Sequence, residues 1–183
     1  MELTEGKILP LEFRVASLDD IQEIWDLYSV VVMRSSGTDE DPYWVMGEHP
    51  SMKELKYQLE DGVLYVATLY GEIVAVTVIE QSFVSGYDTF KWQSGILLRD
   101  SAVLRMFAVS PDFRGQKIST RFLQYCIAEI RNQGYKAIRL DIMPHLKHAQ
   151  NLYLRNGFNN LGLVKLGHKD PRMQSSYLFE LVL

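Results

Sequence analysis

The chain has 183 residues, of which 47% are hydrophobic and 23% are charged, and this balance predicts a single globular domain over residues 1–183. Its formal net charge of −4 provides no basic field of the kind that nucleic-acid phosphates require, so no nucleic-acid partner is expected. The chain has one cysteine, and the charged residues Glu2, Glu5 and Lys7 lie near its N-terminus. No apolar run approaches the ~20 residues that a membrane span needs. These features favour a cytoplasmic protein without membrane contact.

The N-terminal part of the chain carries the signals of a short strand followed by two helices. Residues 13–15 are β-like. Ser17 is a good N-cap with Asp20 at the acidic position of a capping box, and apolar residues at helical spacing continue to about Arg34. Ser51 caps a second amphipathic segment, which we expect to form another helix.

A β-hairpin is predicted next, between two irregular segments. The β-rich runs 64–69 and 73–79 flank the tripeptide Tyr70-Gly71-Glu72, which is a hairpin signal. Residues 35–50 and 85–100 lack a sustained period and are rich in aromatic side chains. Because long loops over compact domains are often functional, we expect these two segments to cover a site.

The C-terminal half alternates strand and helix. A strand is predicted at 103–109, and apolar residues that recur every fourth position from Ile118 predict an amphipathic helix after it. A second strand at 137–142 and a second helix before Gly157 follow, and residues 177–183 close the chain as a β-like run. This order predicts an α/β (α+β) domain around a mixed sheet.

Residues 114–119 have the features of a phosphate-binding helix start. A strand that feeds a helix through a tight turn exposes the unpaired N–H groups of the first helical turn, together with the positive end of the helix dipole. Gly115 allows close backbone approach, and Arg114 and Lys117 add charge that suits a pyrophosphate. An ordinary turn with a solvated lysine explains this hexapeptide equally well, so its surroundings decide.

Two ordered blocks resemble the GNAT superfamily of N-acetyltransferases. Residues 104–119, Leu-Arg-Met-Phe-Ala-Val-Ser-Pro-Asp-Phe-Arg-Gly-Gln-Lys-Ile-Ser, resemble its acetyl-CoA-binding motif, and residues 151–158, Asn-Leu-Tyr-Leu-Arg-Asn-Gly-Phe, resemble its Leu-Tyr-x-x-x-Gly-Phe block. Residues 44–51 are similar to a stretch in small bacterial members. The resemblance implies a GNAT-like domain whose central sheet is mixed but mostly antiparallel, flanked by helices, and splayed at the strand that ends near Val109.

The resemblance also implies acetyl-CoA as the co-substrate and assigns the residues that bind it. Backbone groups at the end of the first strand of the motif would hold the pantetheine arm as though it were an added strand, and the turn after it would cradle the pyrophosphate. Tyr153 would be the catalytic residue, a general acid that protonates the departing thiolate, although a purely structural aromatic is the alternative. The implied cofactor-binding residues are Phe107, Ala108, Val109, Arg114, Gly115, Gln116, Lys117, Ile118, Ser119 and Thr120.

The sequence departs from the family pattern in three places. Lys117 and Ser119 occupy positions that usually hold Gly and then Gly or Ala, and Leu146 stands where Asn is common. Val103 and Arg105 stand where many members keep a glutamate base, so the general base is unassigned. A base acting through water would suffice, with the oxyanion bound by a backbone N–H such as that of Val109. Candidates for the base are Glu48, His49, Glu80, Asp141 and His145.

The expected reaction is transfer of an acetyl group from acetyl-CoA to a primary amine of a small molecule or peptide by direct attack. A small cationic amine suits the aromatic and acidic residues of the irregular segments, although loop anchoring explains these residues equally well. They are Tyr43, Trp44, Glu48, His49, Pro50, Ser51, Tyr87 and Trp92.

Other functions are weighed against this one. A catalytically weakened CoA-binding sensor or regulatory module is the main alternative, motivated by Lys117, Leu146 and the missing base. A doubly wound nucleotide-binding domain is a third. No metal site is expected, because His145 and His148 lack a third ligand at metal spacing. Residues 177–183 alternate in a way that permits a homodimer through the terminal strands.

Overall fold

A computed structural model describes residues 9–183, so Glu2, Glu5 and Lys7 lie outside the described residues. Over that range the chain forms four α-helices, and none of them is long and apolar enough to cross a bilayer. The strands are β1 (Leu11–Val15), β2 (Leu64–Leu69), β3 (Glu72–Glu80), β4 (Ser101–Val109), β5 (Ala137–Ile142), β6 (Asn159–Lys165) and β7 (Ser175–Val182). The helices are α1 (Ile21–Ser35), α2 (Met52–Glu60), α3 (Ile118–Asn132) and α4 (Lys147–Arg155).

The described strands form one sheet with the order β1-β2-β3-β4-β5-β7-β6. Strands β4 and β5 are parallel, and the other neighbouring pairs are antiparallel. Helices α3 and α4 pack on one face of the sheet, while α1 and α2 pack on the other. The predicted mixed, mostly antiparallel sheet flanked by helices is therefore confirmed.

Local capping chemistry sets the starts of α1 and α2. The Asp20 carboxylate accepts hydrogen bonds from the Ser17 backbone N–H and hydroxyl, at 2.7 and 3.1 Å, just before α1 begins. At α2, the Glu54 backbone N–H donates to the Ser51 hydroxyl, and the Glu54 side chain accepts from the Ser51 N–H. These contacts satisfy donors that a helix start leaves without intrahelical partners, and both predicted caps are confirmed.

The hairpin between β2 and β3 also follows from local chemistry. Its two connecting residues, Tyr70 and Gly71, have φ angles of 53° and 88°. Two positive φ angles are what a two-residue hairpin turn needs to match the twist of its strands. Glu72, predicted as part of the connecting tripeptide, is the first residue of β3.

Strand β6 has no counterpart in the sequence analysis. Its seven residues are mostly exposed, without the alternation of a half-buried strand, and Gly162 interrupts it. The strand forms at the edge of the sheet because β7 offers it a partner, with a register irregularity between Asn160 and Leu163. Its existence therefore depends on pairing rather than on local pattern.

The second irregular segment packs tightly against the sheet. The Tyr87 and Trp92 rings are 0% and 8% exposed and form a small core with residues of β4 and β7. The fully buried Arg139 guanidinium lies 4.1 Å from the centre of the Trp92 ring and pairs with Glu180 at 2.9 Å. This neutralised and hydrogen-bonded pair holds the segment against β5 and β7.

Strands β4 and β5 separate after a short paired stretch. Within the described chain their register runs from Ser101↔Ala137 to Val103↔Arg139 and stops there. The remaining six residues of β4 therefore lack a parallel partner, and the sheet opens between the two strands. This divergence confirms the predicted splay at the strand that ends at Val109.

Candidate active site

The splay between β4 and β5 opens into a cleft of about 1310 Å³. The end of β4, the start of α3 and the inner face of α4 form one side of it, and β5 forms another. The connection between α1 and α2 and the connection between β6 and β7 complete the cleft. Both of these connections are irregular, so loops lie over a base formed by strands and helices.

A bulge re-aims the end of β4 at this opening. Arg105 pairs with Val78 and Ala108 pairs with Val76, so Met106 and Phe107 share one partner position on β3. Met106 has a φ of 52°, a left-handed conformation that is costly for a residue with a side chain. The fully buried Tyr28 hydroxyl donates to the Met106 carbonyl at 2.9 Å and stabilises the bulge.

Backbone groups beyond the bulge face the opening. The Ser110 N–H donates to the Val74 carbonyl on β3 at 2.8 Å. Because successive backbone groups of a strand point to opposite sides, those of Val109 and Phe107 point away from β3. They therefore face the gap that β5 leaves.

The turn into α3 leaves its first N–H groups available. Gly115 and Lys117 have positive φ angles, 79° and 58°, and Lys117 precedes α3 without a side-chain cap in the described structure. The first N–H groups of any helix lack intrahelical partners. The residues of this turn that line the cleft are Arg114, Gly115, Lys117, Ile118 and Ser119. Thr120 lies in a smaller neighbouring depression, and Gln116 lines neither.

Arg114 is ion-paired across the mouth of the cleft. Its Nη2 atom lies 2.5 Å from Oε2 of Glu40, and the other carboxylate oxygen of Glu40 contacts Nδ1 of His148 on α4. The hydrogen bond to His148, with the nearby Arg114 charge, holds the pKa of Glu40 below its usual range. An anionic ligand that reaches Arg114 therefore has to compete with Glu40.

Tyr153 lies on α4 at the inner end of the cleft. Its ring is 5% exposed and packs against Phe107, Phe158 and Phe179, with centroid separations of 6.3, 5.2 and 6.4 Å. Burial raises its pKa well above the ordinary range of a phenol. The hydroxyl therefore keeps its proton at neutral pH, as a proton donor must. Leu146, at the start of the same helix, also lines the cleft.

The five candidate bases are placed differently. Glu48, His49 and Asp141 line the cleft. Glu80 lies outside it and pairs with Arg105 at 2.8 Å. His145 also lies outside and hydrogen-bonds to the Asp41 carbonyl at 2.7 Å, which anchors the connection between α1 and α2.

A histidine that the sequence analysis did not single out lies beside Asp141. His168 lines the cleft, and its Nε2 atom is 2.9 Å from Oδ2 of Asp141, while the Tyr87 hydroxyl donates to Oδ1 at 2.9 Å. Residue 168 lies in a connection without periodicity, 27 residues from its partner. Only the return of β7 alongside β5 brings the two together, and no local signal marks it.

The aromatic residues of the irregular segments separate into two groups. Tyr43 and Trp44 line the cleft, and Trp44 packs edge-on against Tyr28 at 5.5 Å. The Tyr87 and Trp92 rings are buried in the small core and do not line the cleft. For Tyr87 and Trp92 the structure supports the loop-anchoring alternative, with Trp92 packed against the buried Arg139.

Sequence comparison identifies a family. A scan against protein-family profiles matches residues 33–158 to the acetyltransferase (GNAT) family. A search of curated protein sequences finds no match. The matched stretch includes the end of β4, the turn into α3 and the helix that carries Tyr153.

Several solved acetyltransferases have a similar fold. An N-acetyltransferase from Staphylococcus aureus Mu50 is 16% identical, with a TM-score of 0.67 over 94% of this chain and 98% of that one. A ribosomal-protein-alanine N-acetyltransferase from Brucella melitensis is 20% identical, with a TM-score of 0.67 over 94% and 99%. The PaiA N-acetyltransferase from Thermoplasma acidophilum, in complex with coenzyme A, is 14% identical, with a TM-score of 0.70 over 96% and 100%.

Proposed function

This chain belongs to the acetyltransferase (GNAT) family, and from that premise we propose that it transfers the acetyl group of acetyl-CoA to a primary amine of a small molecule or peptide. Family membership makes the protein an acetyltransferase with acetyl-CoA as its co-substrate. The proposal adds the amine acceptor, the direct attack and the roles of individual residues.

The observation that carries the proposal is the bulged end of β4, which runs into the uncapped start of α3. The backbone groups of Phe107 and Val109 face the splay, where they can hydrogen-bond an extended pantetheine arm as a neighbouring strand would. The N–H groups that begin α3 can then donate hydrogen bonds to the oxygens of a pyrophosphate. Gly115 allows close approach, and Lys117 adds positive charge. The cleft is large enough for such a ligand together with an acceptor.

The same arrangement supports the chemical step. The Val109 N–H is available to stabilise an oxyanion at the carbonyl under attack, because it faces the splay rather than β3. Tyr153 donates its proton to the departing thiolate, since a phenol is protonated at neutral pH. Its aromatic neighbours fix the ring, so the hydroxyl is positioned before substrate binds.

The acceptor is a cationic amine in this proposal. The carboxylates of Glu48, Asp141 and Asp170 line the cleft, where they can attract a protonated amine. Trp44 offers an aromatic face beside them, which suits a cation. Small amines and peptide N-termini share this chemistry.

The proposal also includes the compartment. The chain has one cysteine, and Cys126 is buried on the inner side of α3 without a disulfide partner. A free buried thiol fits a reducing environment, which supports the cytoplasm as the place of action.

Replacing Tyr153 tests the assigned general acid. We expect Tyr153→Phe to lower kcat for acetyl-CoA-dependent amine acetylation by about 10²–10⁴-fold while leaving CoA binding intact. Tyr125→Phe is the matched control, because burial also raises the pKa of Tyr125, to about 12, but its ring stacks on Phe13 away from the cleft. Thiol release from acetyl-CoA measures turnover, and the CoA-dependent rise in melting temperature measures binding.

Two results would count against this account. Unchanged turnover in Tyr153→Phe would remove the general-acid role. Binding of CoA by the wild-type protein without turnover of any amine would favour the sensor module.

A further inference from the structure

Asp141, His168 and Tyr87 form a connected group on the β5 side of the cleft. Asp141 accepts from the Tyr87 hydroxyl on one carboxylate oxygen and lies against Nε2 of His168 with the other, each at 2.9 Å. The His168 and Asp141 side chains are 16% and 18% exposed. Such limited contact with water makes the pairing stronger than it would be at the surface.

The hydrogen bonds determine which nitrogen of His168 is free. The carboxylate can only accept, so Nε2 of His168 carries the hydrogen and the neutral ring has its lone pair on Nδ1. That atom makes no hydrogen bond to any residue between 9 and 183. An imidazole oriented by a carboxylate, with its other nitrogen open to a cleft, is the arrangement of a general base.

Contacts behind the pair hold His168 in place. Tyr87 is fully buried, and its burial raises the pKa of the hydroxyl well above the ordinary range, so it remains a donor to Asp141. The Gly167 N–H donates to the Ser85 carbonyl at 2.8 Å. A Cβ atom at Gly167 would lie 2.8 Å from that of Ser85, so the two segments meet backbone to backbone.

The charges around this group come from β4, from β5 and from the connection that carries His168. On β5, Arg139 acts on Tyr87 and is paired with Glu180 at 2.9 Å. Arg105 on β4 lines the cleft and is already paired with Glu80 at 2.8 Å. Lys169 and Asp170 flank His168 along the chain and line the same cleft. Asp141 is the acidic group in direct hydrogen-bond contact with the imidazole.

A second histidine–carboxylate pair in the cleft has a different role. Nδ1 of His49 lies 3.1 Å from Glu54, and these side chains are 33% and 29% exposed. Glu54 also accepts from the Ser51 N–H, so its carboxylate completes the cap of α2. The pair belongs to the start of a helix, and its greater exposure makes it a comparator for His168.

We propose that His168 is the general base that deprotonates the acceptor amine, with Asp141 and Tyr87 as positioning residues; this inference rests on the proposed acetyl transfer. Nδ1 of His168 takes a proton from the ammonium group. The freed nitrogen lone pair forms the C–N bond at the thioester carbonyl carbon, and the C–S bond breaks. Tyr153 protonates the thiolate. The nitrogen then gives its second proton to the Tyr153 phenolate, and His168 releases its own proton to water.

The test compares His168→Gln with His49→Gln by the pH profile of kcat/KM for amine-dependent thiol release. In the wild-type protein we expect kcat/KM to rise with pH and then level off, as expected when one base has to lose its proton. With an aliphatic primary amine as acceptor, we expect His168→Gln to lose about 10²–10⁴-fold in kcat/KM at neutral pH and to show a rise that continues toward the amine's own pKa of about 10. Because His49 lines the same cleft, we expect His49→Gln to change the size of kcat/KM but to keep the shape of its pH profile.

Two further measurements complete the test. The acetyl-CoA-dependent rise in melting temperature of His168→Gln must match that of the wild type, which shows a folded, ligand-binding variant. Tyr87→Phe keeps the imidazole and should shift the pH at which the profile levels off, as expected of a positioning residue. The assignment of His168 is overturned if His168→Gln keeps the wild-type profile, or if His49→Gln loses the plateau instead. If the wild-type protein acetylates no amine, the acetyl transfer itself is contradicted.

Discussion

Lys117 holds a left-handed backbone conformation at the residue before α3, where the family pattern has glycine. A φ of 58° brings the side chain of a non-glycine residue close to its own backbone and costs about 1–2 kcal/mol. The family pattern marks Lys117 as unusual, but its strain could not be predicted from the sequence, because backbone angles depend on the path that the neighbouring strand and helix impose. The fold accepts this strain at the turn that we propose binds the pyrophosphate.

Replacing Lys117 by glycine should stabilise the protein. We expect Lys117→Gly to raise the free energy of unfolding by about 1 kcal/mol, because glycine adopts positive φ without a steric penalty. Urea denaturation at neutral pH measures the change. Lys117→Ala is the matched control, since it removes the charge but keeps Cβ, and equal stability of the two variants would contradict the strain.

At the scale of elements, α1 depends on the cluster of Arg14, Ser17 and Asp20 that precedes it. Arg14 donates to both oxygens of the Asp20 carboxylate at 2.7 Å, and Ser17 donates to one of them. The hydrogen bonds from Arg14, its largest influence, lower the pKa of Asp20 to about 2. Because β1 carries Arg14, the cluster also ties the edge strand to the helix that follows it.

This cluster predicts a pH-dependent stability. Asp20→Asn should lower the free energy of unfolding by about 1 kcal/mol at neutral pH, because the ion pair and the cap are lost. A carboxyl whose pKa falls on folding stabilises the fold above its unfolded value of about 4 and loses that contribution as pH falls through about 2. The wild type should therefore lose its advantage between about pH 4 and pH 2. Urea denaturation across that range measures it, and a difference that stays constant would contradict the assignment.

Elements set by local chemistry could be predicted from the sequence, and elements set by distant partners could not. The caps at Ser17 and Ser51 and the turn at Tyr70-Gly71 each need two or three neighbouring residues, and all three were predicted. Strand β6 forms against β7, and the burial of Trp92 depends on Arg139 from another strand. Neither the formation of β6 nor the burial of Trp92 is marked by a periodic signal in its own segment.

At the scale of the whole molecule, the cleft joins residues that are far apart in the chain. Glu40 meets Arg114 and His148 across 74 and 108 residues. The family motif predicted the residues at the end of β4, the start of α3 and Tyr153, since each motif is contiguous. The positions of Glu40 at the mouth of the cleft and of His168 could not be predicted, because only the assembled sheet brings these residues to the cleft.

The described sheet also limits how two copies could associate. Strand β7 pairs with β5 over residues 177–182 and with β6 between residues 175 and 180, so most of its length lies between two strands of the same chain. The exposed edges are β1 and β6. A homodimer through the terminal strands stays a prediction.

The most direct test of the central claim is amine-dependent release of free CoA thiol from acetyl-CoA by the full chain. The panel should contain polyamines, amino acids, amine-bearing antibiotics and peptides with free N-termini. The account predicts thiol release that requires both protein and amine, with an equal amount of acetylated amine as product. Absence of thiol release with every amine in the panel, or release that does not depend on the amine, would contradict it.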